Sequence, residues 1–229
     1  MKVKLGIVGY GRMGRALAGR LVGKFDLYAC DIREDLIYEQ GVNKVDTKTL
    51  FSVCRYIVLC LNKVDIQEVV LQYKSYCNKT TYLINVATES HIDQLNNLVR
   101  DCPYIQPIGV KIMGQYIAIE HGMQSVIVTE SKDERLFQVV SDVFSTIALV
   151  IKYKEDIVGK LNHWITKKAI RMLCSVYEEC KKFGIKSEVY ELAAKSILIG
   201  TIEEFKIPSG NEYIEKIMNE IRGEECNEG

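Results

Sequence analysis

From residue 3 to about 151, short apolar runs alternate with longer stretches in which apolar positions recur every three or four residues. The short runs, 3–8, 26–30, 56–61, 81–86, 104–108, 125–129 and 147–151, predict β-strands. The stretches between them, among them 12–22, 65–73, 91–98 and 134–145, predict amphipathic helices. After Tyr153 the strand pattern stops, and 157–183 reads as one long helix with a stripe through Val158, Leu161, Ile165, Met172, Val176 and Phe183. Gly184 is placed to stop it. Ser187 caps a second helix, and Pro208-Ser209-Gly210 separates that from a last one at 212–221.

Strands alternating with helices define an α/β class: a doubly wound, mostly parallel sheet covered on both faces, assigned to residues 1–152. Residues 153–229 form a smaller all-helical domain. Such a helical appendix exposes apolar surface unless something covers it. In a chain of 229 residues the expected cover is a second copy, so the C-terminal helices predict a homodimer and a dimerisation domain.

The first predicted strand runs straight into Gly9-x-Gly11-x-x-Gly14, and the next predicted helix starts inside that motif. In this context Gly9 permits the tight turn, Gly11 lets backbone approach a pyrophosphate, and Gly14 lets helix and strand pack closely. The backbone of Tyr10, Arg12 and Met13 completes the loop, and the helix start offers free N–H groups and a positive dipole to phosphates. This is the signature of a Rossmann domain holding an adenosine dinucleotide. Asp31 ends the second strand, where a carboxylate accepts from ribose hydroxyls, which favours NAD. Arg33, two residues on, would suit the 2′-phosphate of NADP, so both cofactors stay open.

Lysine plus arginine equals aspartate plus glutamate at 30 each, so no long-range field draws the chain to nucleic acid or an anionic membrane. A small-molecule partner is the expectation. None of the eight cysteines forms a CxxC pair and several sit in apolar runs, which reads as buried thiols, with no metal site expected. No apolar run is long enough for a bilayer and no signal peptide is evident, so a cytoplasmic location is expected.

Four segments in order, GYGRMG, IVLCLNKVDIQEVV, INVATESHIDQL and YEECKKFGIKSEVYELAAKSILIGTIEEF, resemble pyrroline-5-carboxylate reductases of the 6-phosphogluconate-dehydrogenase-like superfamily. The resemblance implies a Rossmann domain with a helical dimerisation domain, and hydride transfer between a nicotinamide and a small imine or hydroxy acid. It also implies that Leu61 and Asn62, and Ala87 and Thr88, border the cofactor. The chain departs from the reductases at four places. Asn62-Lys63 replaces a Lys-Pro pair, Glu89 a glycine, and Ile112-Met113-Gly114 a Met-Pro-Asn segment. The Gly-Ser-Gly-Pro-Ala-Tyr stretch of the imine pocket falls on His163-Trp164-Ile165-Thr166-Lys167-Lys168, which argues against a proline-forming reductase.

Lys160, His163, Lys167 and Arg171 fall at helical spacing on one face of the long helix. Facing a cleft, they could hold a substrate carboxylate or phosphate while one donates a proton. GKLNHW also resembles, a position or two out of register, the Lys-x-x-x-Asn signature of hydroxyacid dehydrogenases, which makes Lys160 the acid/base with Asn162 or His163 beside it. The competing explanation is a solvated basic face balanced by Glu155, Glu178 and Glu179. Trp164, Thr166 and Lys167, with Lys111 and Gln115 from the segment QPIGVKIMGQY, are the expected substrate contacts. His91 and His121 read as structural.

Two activities fit. One is an NAD(P)-dependent oxidoreductase acting on a small, anionic imine or hydroxy or keto acid. The other is group transfer from S-adenosylmethionine, a methyltransferase on the same adenosine cradle, with a cofactor-binding protein without catalysis as a third reading.

Overall fold

The computed structural model describes residues 2–37, 39–204 and 215–221. By contact the chain divides into two units, Met1–Trp164 and Ile165–Gly229.

In the first unit, β1 (Lys4–Val8), β2 (Asp26–Cys30), β3 (Val42–Lys44), β4 (Tyr56–Leu59), β5 (Thr81–Asn85) and β6 (Ile105–Gly109) form one parallel sheet. Its spatial order is β3-β2-β1-β4-β5-β6. The chain winds outward from β1 to β3, then returns to the other side of β1, which leaves a crevice between β1 and β4 at the C-terminal ends of the strands. Period-2 alternation sends Leu5, Ile7 and Val58 to one face and Val8, Ile57 and Leu59 to the other. On the first face they meet Leu17 and Leu21 of α1 (Arg12–Leu21), with Val140 and Phe144 of α6 (Glu134–Phe144) further along the same core. On the second they meet Phe51 of α2 (Thr47–Val53), Ile66 and Val70 of α3 (Lys63–Tyr73) and Leu95 of α4 (Ile92–Leu98). Both faces are dry, as a parallel sheet requires.

The helices start where the sequence supplies caps. Asp46 accepts from the amide of Thr49, Asn62 from those of Val64 and Asp65, and Asp133 from that of Arg135. The helix α1 starts without one: its N-cap is Gly11, which has no side chain to place on the helix start.

The predicted strands at 125–129 and 147–151 form, but outside the parallel sheet. A separate three-stranded sheet pairs β7 (Lys111–Met113) antiparallel with β8 (Ser125–Thr129), and β8 parallel with β9 (Ala148–Lys152). At the end of β6 the Val110 amide donates to the Asn85 carbonyl, continuing the β5–β6 ladder, and the Gly109 carbonyl accepts from the Thr129 hydroxyl of β8 at 2.8 Å. Strands β3 and β7 carry too little pattern to be read from sequence, since each has three residues.

The boundary between the units falls inside α7 (Asp156–Lys182), one continuous helix as predicted. In the second unit Gly184, at φ +69°, turns the chain, with its amide on Lys181 and that of Ile185 on Cys180. The following α8 (Ser187–Glu204) returns, the Tyr190 hydroxyl donating to the Leu173 carbonyl at 2.7 Å and its ring meeting Tyr177 edge-on. Among its described residues α8 buries none, while Leu192, Ile197 and Ile202 are each at least two-thirds exposed or close to it. Residues 215–221 are helical; the rest of the predicted last helix lies outside the described residues.

Candidate functional site

The glycine turn sits at the crevice. Gly9 adopts φ +89°, and a Cβ there would stand 2.6 Å from the carbonyl oxygen of Cys60. Only glycine fits that turn. A Cβ on Gly14 would be driven into the Gly9 carbonyl, so its absence sets how closely α1 packs under the turn. A Cβ on Gly11, by contrast, would meet no protein atom within 4 Å. Gly11 therefore faces open space at the uncapped start of a helix with no acidic residue in its first turn. That arrangement accepts an anion.

Next to it lies a cavity of about 550 Å³ lined by Gly9, Gly11, Asp31, Ile32, Arg33 and Asn62. Asp31 is held from two sides: Oδ2 accepts from the Tyr10 amide at 2.6 Å and Oδ1 from the Arg33 amide at 2.8 Å. The Tyr10 ring is buried in the core, so only its backbone belongs to the turn. Arg12 is exposed, its guanidinium over the Tyr116 ring, and Met13 packs against the core. Arg33 is exposed, and Ile32 beside it is 99 % exposed. Of the two residues expected after β4, Leu61 lines the cavity and Asn62 both lines it and caps α3.

Sequence reasoning missed the cavity's opposite wall. Asp65, Glu68 and Gln72 of α3 line it, joined by Thr47 of α2, whose hydroxyl donates to Cys30 Sγ at 3.6 Å. The signal was present: Asp65, Glu68 and Gln72 repeat at three- and four-residue spacing behind a capping Asn62. Cys30 and Cys60 also line it; burial pushes their thiols up to about 11 and about 12.

On the other side of the crevice, the loop after β5 carries Ala87, half-buried, and Thr88, exposed. Lys111 is not on the surface but 3 % exposed: its ammonium donates to the carbonyls of Ala87 and Ser90 and lies 3.8 Å from the Glu155 carboxylate. Glu155 is 7 % exposed. It thus faces Lys111 and not the basic face of α7 that it was expected to balance. Burial pushes the Lys111 ammonium below, and the Glu155 carboxyl above, their ordinary values. Gln115 is exposed at the start of the short α5 (Tyr116–Glu120).

Lys160, His163 and Trp164 are exposed on the first half of α7, with Lys160 paired to Asp156 at 3.1 Å. Asn162 fastens this part of α7 to β7: its Nδ2 donates to the Ile112 carbonyl at 3.0 Å and its Oδ1 accepts from the Gly114 amide at 3.2 Å. Thr166 and Lys167 belong to the second unit, half-buried and exposed respectively. Among the described residues no group of three or more His, Cys, Asp or Glu is placed to hold a metal ion, and no helix is long and apolar enough to cross a membrane.

Comparison with known proteins agrees with this geometry. Residues 1–99 match the family model of the NAD-binding domain of D-isomer specific 2-hydroxyacid dehydrogenases. A pyrroline-5-carboxylate reductase from Coxiella burnetii superposes with a TM-score of 0.76 at 15 % identity, covering 100 % of this chain and 93 % of its own. The NADP-bound pyrroline carboxylate reductase of Plasmodium falciparum gives 0.71 at 19 %, covering 88 % and 78 %. An imine reductase from Myxococcus stipitatus in complex with NAD+ gives 0.59 at 17 %, covering 89 % and 75 %. No curated protein sequence matches the chain. Residues 1–99 are therefore similar to a dehydrogenase NAD-binding domain, and the chain as a whole has the fold of the pyrroline-5-carboxylate reductases.

Proposed function

We propose that the protein is an NAD(P)-dependent oxidoreductase that moves a hydride to or from a small, anionic imine or hydroxy or keto acid. The observation that carries this is Gly11, open on its ligand side at an uncapped helix start, with a cavity leading from it to Asp31. Those residues fit a dinucleotide: the amides of the turn would hold the pyrophosphate and Asp31 the adenosine ribose. A bound nicotinamide supplies the hydride acceptor or donor at its C4 carbon. Lys160 or His163, exposed on α7, exchanges the proton, and Trp164 and Gln115 contact the substrate.

Among the described residues lining the cavity, Asp31, Asp65 and Glu68 set three carboxylates against the cation of Arg33, which favours NAD over the 2′-phosphate of NADP. The unburied apolar faces of α7 and α8 support a homodimer through the residues 153–229, and the free thiols from Cys30 to Cys180 suit a reducing cytoplasm.

Thermal-shift titration with NAD, NADP and S-adenosylmethionine tests the cofactor. Stabilisation by NAD above NADP is expected. Stabilisation by S-adenosylmethionine alone would replace the oxidoreductase with the methyltransferase reading. Lys160→Met is expected to abolish turnover while sparing cofactor binding; unchanged turnover removes Lys160 from the mechanism.

A further inference from the structure

An ammonium and a carboxylate buried together are costly unless the arrangement fixes something else, and Lys111 and Glu155 are among the few charged side chains buried in this fold. Their seat is shaped for them. At Gly109, the last residue of β6, any Cβ would collide with the Glu155 carboxylate, so glycine there opens the space that Glu155 fills. The ammonium of Lys111, on β7, lies 3.8 Å from that carboxylate and donates to both ends of one short stretch, the carbonyls of Ala87 and Ser90. Asn85 grips the same stretch from within, Oδ1 accepting from the Ala87 amide at 3.0 Å and Nδ2 donating to the Ser90 hydroxyl at 3.0 Å.

The loop after β5 is thus held by two buried side chains. Glu155 immediately precedes α7, and its carbonyl accepts from the Val158 amide in the first turn. One turn on, Gly159 brings the α7 backbone close to Thr88, whose methyl lies 3.6 Å from where a Cβ would stand. In a doubly wound sheet a dinucleotide crosses the switch point. Its adenosine half occupies the β1–β2 side, here marked by Asp31, and its other half lies over the ends of β4 and β5.

We propose that Lys111 and Glu155 are a positioning pair that fixes the Ala87–Thr88 backbone, and with it the first turn of α7, against the nicotinamide half of the dinucleotide. The proposal rests on the dinucleotide reading of the site. Neither side chain touches the ligand; Lys111 sets the height of the loop, and Glu155 neutralises Lys111 while joining the loop to α7.

The test compares two ligands that share the adenosine half. NADH carries the nicotinamide and ADP-ribose lacks it; if NADPH is the form bound, 2′-phospho-ADP-ribose is its partner. Because either single substitution strands a buried charge, the variant is Lys111→Met with Glu155→Gln, checked for a cooperative melt. The expected result is ADP-ribose affinity held within about twofold and NADH affinity lowered about tenfold, with faster amide exchange over residues 86–91. Equal weakening of both ligands would assign the pair to general stability and overturn the proposal. So would unchanged affinity for both. Wild-type protein that binds neither NADH nor ADP-ribose would remove the dinucleotide reading, and the pair's role with it.

Discussion

The amide of Tyr10 donates to Oδ2 of Asp31 at 2.6 Å, tying the glycine turn to the end of β2. With the Arg33 amide on the other oxygen, the carboxylate is oriented before any ligand arrives. Such preorganisation lowers the cost of binding. Asp31→Asn keeps one acceptor oxygen and puts an N–H₂ group where the second N–H points. It is expected to lower NADH affinity by about tenfold or more and stability by about 1–3 kcal/mol, read by fluorescence titration and urea melts. Unchanged affinity would show that Asp31 serves the turn alone.

Gly11 and Gly14 should separate binding from folding. At Gly11 the backbone is extended and the space around a Cβ is empty, so Gly11→Ala is expected to fold with stability within about 0.5 kcal/mol of the parent. Its methyl would occupy the ligand side, and dinucleotide binding should be lost. Gly14→Ala drives a methyl into the Gly9 carbonyl and should lower stability by about 1–3 kcal/mol. Calorimetry with and without NADH distinguishes the two; a Gly11→Ala protein that binds normally would place the ligand elsewhere.

The parallel sheet, its helices and the glycine turn were legible because each depends on local pattern: alternation for strands, three-to-four spacing for helices, fixed glycines for the turn. Lys111 shows where that stops. Its segment reads as a source of substrate contacts, and only the side-chain bonds at Ala87, Ser90 and Glu155 reveal a buried cation. Glu155 looked like a surface counter-charge for the same reason, since sequence spacing cannot show which partner a side chain turns to. Asp156, one residue on, takes the role of pairing with Lys160. The separate sheet of β7, β8 and β9 was hidden because strand pattern does not encode which edge a strand joins.

Thiol chemistry should follow burial. Burial raises Cys30 and Cys77 to about 11 and Cys54 and Cys60 to about 12, so all four stay protonated at neutral pH. Cys174 is exposed. Brief iodoacetamide treatment of native protein at pH 7.5, roughly one unit below the free-thiol value, should label Cys174 and spare those four, as peptide mass spectrometry would show. Rapid labelling of Cys60 would mean that the cavity wall opens.

The apolar surface of α8 makes a prediction about assembly. Leu192→Asp with Ile202→Asp adds charge at two positions exposed by 73 % and 70 % in the single chain. A solvent-facing helix would tolerate them within about 0.5 kcal/mol, whereas a face covered by a second copy would not. Sedimentation is expected to show a dimer for the parent and a monomer for the variant. A monomeric parent would leave those faces to another partner.

Lys111 and Glu155 are shifted in opposite directions by the same cause, so their single variants should respond to pH with opposite slopes. In Glu155→Gln, Lys111 keeps a folded value below its ordinary 10.5, and a lowered lysine contributes stability present above 10.5 and lost as pH falls through the folded value. That variant should gain stability as pH rises toward 10.5. In Lys111→Met, Glu155 keeps a folded value above its ordinary 4.5; a raised carboxyl contributes stability present below 4.5 and lost as pH rises through the folded value. This one should gain stability as pH falls toward 4.5. At neutral pH each single substitution is expected to cost about 3–5 kcal/mol by leaving one buried charge unpaired, and Lys111→Met with Glu155→Gln much less than their sum. Urea melts of the parent, both singles and the double variant across pH measure this directly. Additive losses, or singles with no pH slope relative to the parent, would mean that the two charges are solvated independently and that the pair fixes nothing.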